Sequence, residues 1–83
     1  MLRLSSETGS SGSVLRVEGR LQRSDLEEME RAVQAARPHA LDLSGLLSAD
    51  AESVAFLRSL RDRGCRLLHA SLYIAGLLEE TRS

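Results

Sequence analysis

Apolar residues recur along the chain in short blocks whose spacing switches between two and three-to-four residues, the mark of strands alternating with helices. Leu2 and Leu4 flank Arg3, and this alternation predicts a short edge strand. Ser5 through Ser13 is a polar Ser/Gly-rich run that predicts a turn or flexible loop, a hairpin connection given the apolar segments on either side. Val14-Leu15-Arg16-Val17-Glu18 reads as a second strand, ended by Gly19.

Ser24 and Glu27 have the spacing of a capping box and predict the start of a helix. Leu26, Met29, Val33 and Ala36 follow as one apolar stripe, with acidic residues early and Arg31 and Arg37 late, and Pro38 is the stop. Ala40-Leu41-Asp42-Leu43 predicts a short strand broken by Ser44-Gly45. Asp50 is a candidate N-cap for a second helix that ends near Arg63, with Gly64 closing it in a left-handed conformation. Cys65 through His69 predicts another strand, and Ser71 can cap a last helix containing Leu72, Ile74, Ala75, Leu77 and Leu78. The order β-β-α-β-α-β-α predicts a single α/β domain over residues 1–83: an open mixed sheet with helices packed on it, its crossovers parallel and right-handed.

Composition narrows the function. The chain has 83 residues, enough for one modest core, and its only aromatics are Phe56 and Tyr73, so Leu, Val and Ala must build that core. A net charge of −1 offers nucleic acid or an anionic membrane surface no electrostatic reason to bind. All 11 basic residues are Arg, which reads as the bias of a GC-rich, bacterial genome. Cys65 is the only cysteine, no signal-peptide run opens the chain, and no stretch is long enough to insert into a membrane, so a reducing cytoplasm is the expected compartment.

The stretch from Leu41 to Leu57, LDLSGLLSADAESVAFL, resembles the central signature of STAS domains, the fold of bacterial anti-sigma-factor antagonists. In that family a strand leads into a D-S-S-G-like tetrapeptide, an apolar helix and a later glycine. Asp50-Ala51-Glu52-Ser53 falls on the tetrapeptide and Gly64 on the glycine. Val17-Glu18-Gly19-Arg20-Leu21 resembles the family's turn before the first helix, and Ala70 through Leu78 its late loop and short helix. The resemblance spans nearly the whole chain, although typical members continue with a further strand and a longer final helix; it implies a short form, or one whose sheet edge a partner covers.

What the resemblance implies is a non-catalytic domain that docks on a protein. In antagonist members a serine at the third tetrapeptide position is phosphorylated by a partner kinase that is itself the anti-sigma factor. Glu52 stands at that position here, so it either mimics the phosphorylated state or belongs to a branch without the switch, and it competes with the plainer reading of an acidic first-turn helix residue. Ser53 and Ser48 are the neighbouring hydroxyls and the candidate phosphosites. Leu46, Leu47, Asp50, Ala51, Glu52 and Ser53 are the expected partner-binding residues, the two leucines as exposed anchors. The expected partner is an anti-sigma factor and serine kinase, or another ATPase, as in STAS-like accessory subunits of ABC-type lipid transporters; a homodimer is compatible with this. No spacing among His39, Cys65 and His69 predicts a metal site, no glycine motif predicts a nucleotide or other cofactor, and no constellation predicts an enzyme.

Overall fold

The computed structural model describes residues 2–10 and 12–79. Strand β1 (Leu2–Gly9) runs antiparallel to β2 (Gly12–Leu21), which pairs in parallel with β3 (Ala40–Ala49), and β3 pairs in parallel with β4 (Arg66–Leu68). Helix α1 (Leu26–Ala36) joins β2 to β3, α2 (Ala51–Asp62) joins β3 to β4, and α3 (Leu72–Glu79) follows β4. The sheet order is β1-β2-β3-β4, an α/β domain with a mixed four-stranded sheet in the predicted succession.

One face of the sheet makes the core. Leu15, Val17 and Leu21 of β2 and Leu41, Leu43 and Leu46 of β3 are buried together with Met29 of α1, Val54, Leu57 and Leu60 of α2, and Ile74 and Leu78 of α3. All three helices therefore cover the same face. The other face carries Arg3, Arg16, Glu18 and Asp42, with an Arg16–Asp42 ion pair at 3.7 Å between directly paired positions. A face lined with charges of both signs is at home in water.

Several boundaries differ from the sequence pattern: β2 runs through Gly19 to Leu21, β4 is Arg66–Leu68 and leaves out Cys65 and His69, and three differences have a clear local cause. The polar run after Leu4 is strand nearly to its end: Ser5 to Gly9 and Gly12-Ser13 pair in register, and the hairpin turn is far tighter than a nine-residue loop; Ser11 lies outside the described residues. Serine and threonine side chains on an exposed strand cost the ladder nothing, so polarity alone mimicked a loop there. The helix-start box is formed by Gln22 and Asp25, not by Ser24 and Glu27: Gln22 N–H donates to Asp25 Oδ2 (3.0 Å), and a 3-10 turn, Arg23–Asp25, precedes α1. Ser44-Gly45 does not break the third strand. The register of β3 against β2 slips between Arg16 and Glu18 and again between Gly19 and Arg20, so β3 passes on as a bulged strand to Ala49. Gly45 permits this because a Cβ there would lie 2.7 Å from Glu18 Cγ.

Helix ends follow local chemistry. Arg37 adopts a left-handed conformation (φ 46°), and the Ser13 hydroxyl donates to the Ala36 carbonyl (2.9 Å), so α1 ends at Ala36, two residues before Pro38. Gly64 (φ 100°) turns the chain after α2 as its sequence position predicts. Ser71 Oγ accepts from Ile74 N–H (3.2 Å) at the start of α3. No helix among the described residues is long and apolar enough to cross a membrane.

Candidate functional site

Parallel β2 and β3 end on the same edge of the sheet, where open α/β sheets place their binding crevices. Each then hands over to a helical segment, and Asp50 ties the two together. Its Oδ1 accepts from Ser53 N–H (2.9 Å), which caps α2, and its Oδ2 accepts from Arg23 N–H (2.8 Å) in the turn after β2. Asp50 N–H donates to the Leu21 carbonyl (3.2 Å), fixing the same junction from the main chain. The Ser53 hydroxyl faces the Asp50 carboxylate without reaching hydrogen-bond geometry; it, and the N–H groups of Arg23 and Ser53, hold the Asp50 carboxyl below its usual range.

On this rigid junction stand the exposed side chains. Leu47, which follows the inward-facing Leu46 and has no partner on β2 at the second slip in register, is 70% exposed. Ala51 and Glu52 open α2 on the solvent side, and Glu52 Oε1 lies 3.3 Å from Arg23 Nε in an exposed ion pair. Beside them, Ala49, Ala51, Val54, Arg58 and Leu77 line an open cleft of about 300 Å³ between α2 and α3. The guanidinium of Arg58 donates to the carbonyls of Leu77 and Leu78 (2.9 and 3.0 Å), so it holds the end of α3. The chemistry on offer is an apolar anchor, a carboxylate paired with a guanidinium, and a shallow cleft.

Two expected site residues sit elsewhere. Leu46 is 2% exposed and belongs to the core: it follows the outward-facing Gly45, so the strand's alternation carries it inward, and only Leu47 of the leucine pair is an available anchor. Ser53 is fully buried with an unpartnered hydroxyl, so no kinase reaches it in the folded chain, while Ser48 is partly exposed. Arg23 is the member the sequence pattern missed. Its signal was topological: a residue just past one parallel strand meets the residue just past the next.

Other features lie apart from this rim. Cys65 precedes β4 as a half-buried thiol, and burial pushes its pKa up. Among the described residues no group of three or more His, Cys, Asp or Glu side chains could hold a metal ion. Arg61 pairs with Glu79 at 3.4 Å. No protein-family model matches the chain, and no curated protein matches it.

Proposed function

We propose that the chain is a non-catalytic, STAS-like interaction domain that regulates a protein partner by docking through Leu47, Asp50, Ala51 and Glu52, with Arg23 alongside. The partner is an anti-sigma factor of the ATP-binding serine-kinase type, and the cytoplasm is the compartment this reading implies. The observation that carries the reading is the exposed Leu47 set beside the exposed first turn of α2 on a junction braced by Asp50. An exposed large apolar side chain on a backbone already ordered before binding supplies area to bury at little ordering cost.

Glu52 gives the rim a permanent negative charge at the place where the family's switch adds one. A phosphoserine would carry about −1.5 to −2 charges, and a carboxylate about −1, part of it already answered by Arg23. The domain then holds one docking state instead of toggling between two, and Ser48 is the hydroxyl left for any modification. Titrating a co-encoded ATP-binding kinase domain with wild type and with Leu47→Asp tests this. Binding that falls at least about tenfold in Leu47→Asp is the expected result; equal affinity for both would remove the rim from the interface.

A further inference from the structure

The free edge of the sheet points to a second copy of this chain. Strand β1 has β2 on one side, and among the described residues it has no strand on the other, so a row of main-chain donors and acceptors faces outward from Leu2 to Gly9. Such an edge is normally blunted by proline, charged side chains, a bulge or a covering element, and the two charges on this one, Arg3 and Glu7, are of opposite sign. Here it is eight residues long, pairs with β2 without a register slip, and contains neither proline nor lysine.

The side chains along it complement themselves. Arg3, Ser5 and Glu7 lie on the solvent face, opposite Glu18, Arg16 and Val14 of β2, while Leu2 and Leu4 face the core side. Two copies of β1 related by a two-fold axis perpendicular to the sheet keep their helices on the same side only when paired residues share a face. With Ser5 opposite Ser5 of the second copy, Arg3 meets Glu7 and Glu7 meets Arg3, giving two opposite-charge pairs. Neither side chain has an ion-pair or hydrogen-bond partner among the described residues. Shifting the pairing by two residues sets Arg3 opposite Ser5 in one direction, and Glu7 opposite Ser5 with Arg3 opposite Gly9 in the other, so neither shift pairs opposite charges. We propose that the protein forms a two-fold dimer by antiparallel pairing of β1 with β1, centred on Ser5, which makes one continuous sheet of both copies. The edge is at the small end of specific interfaces, so the dimer is a weak, concentration-dependent one. It leaves the rim around Leu47, at the ends of β2 and β3, free for a different partner.

Analytical ultracentrifugation of four chains over a wide concentration range reads this out, with circular dichroism confirming that each is folded. The expected result is a dimer for wild type, weakened at least about fivefold in Arg3→Glu and in Glu7→Arg, where like charges meet, and regained in the Arg3→Glu/Glu7→Arg double variant. Because Arg3 also lies opposite Glu18, a register probe independent of charge is added in a Cys65→Ala background. Ser5→Cys faces its own copy within disulfide range and crosslinks under mild oxidation, whereas Glu7→Cys, opposite position 3, does not. A strictly monomeric wild type, a double variant no better than the singles, or equal crosslinking at positions 5 and 7 would each overturn the pairing.

Discussion

Neighbouring residues here do opposite jobs. Leu46 and Leu47 differ by one position, yet one is in the core and the other in solvent. Leu46→Ala should cost about 2–5 kcal/mol in urea denaturation, because it leaves a cavity in a small core. Leu47→Ala should change stability by no more than about 0.5 kcal/mol while weakening partner binding. Ser53→Ala should change stability by no more than about 1 kcal/mol, because removing an unpartnered buried hydroxyl offsets the loss of its effect on the Asp50 carboxylate, and Ser53→Asp should unfold the chain. The carboxylates add a pH signature. The Ser44 N–H holds Asp42 below its usual range, and the Ser53 hydroxyl with the Arg23 and Ser53 N–H groups does the same for Asp50. Each folded-state pKa lies below the ordinary 3.8, so both groups stabilise the fold above that pH. The stabilisation is lost as pH falls from there through the lowered folded values. The urea midpoint of wild type should therefore drop more steeply below about pH 4 than that of Asp42→Asn/Asp50→Asn.

At the scale of elements, most of the parts that local chemistry governs were legible, the start of α1 excepted, and the parts that pairing governs were not. Asp50 as cap of α2, Gly64 as its closing turn and Ser71 at the start of α3 each depend on a few adjacent atoms, and the sequence pattern located them. Strand β3 is different. Ser44-Gly45 has the composition of a break, but pairing with β2, which continues past the point where β4 stops pairing at Asp42, carries the backbone through as a bulge. The serines of β1 likewise gave no local sign of the ladder that β2 supplies. The same dependence on a distant segment explains Arg58, whose place on α2 gives no sign that its guanidinium serves the last carbonyls of α3. Arg58→Ala should release that end: hydrogen exchange in Leu72–Glu79 should speed up by an amount equal to about 1.5 kcal/mol of local protection or more, with the sheet amides little changed.

At the scale of the whole molecule, one sheet face does all the packing. The radius of gyration, 11.7 Å, matches the roughly 12 Å expected for a compact chain of this length, and Leu47, Leu72 and Tyr73 are the large apolar side chains left exposed among the described residues. A domain this small has stability to lose in few places; Leu41→Ala, at the centre of the sheet, should cost about 2–5 kcal/mol and leave it near its unfolding threshold. The exposed face, the free edge of β1 and the rim at the ends of β2 and β3 are then the surfaces left to meet other molecules. The candidate site was legible as a segment, residues 46–53, from its resemblance to a family signature. Its outline in the fold was not, because Arg23 meets Asp50 from the other end of α1, and Leu46 and Ser53 are buried. The measurement that decides the central reading is affinity capture from the source cells with three baits: wild type, Leu47→Asp and the edge variant Arg3→Glu. Recovery of an ATP-binding kinase with wild type and with Arg3→Glu, cut at least about tenfold with Leu47→Asp, is the expected result; the same partners at the same yield from all three baits would contradict docking through the rim.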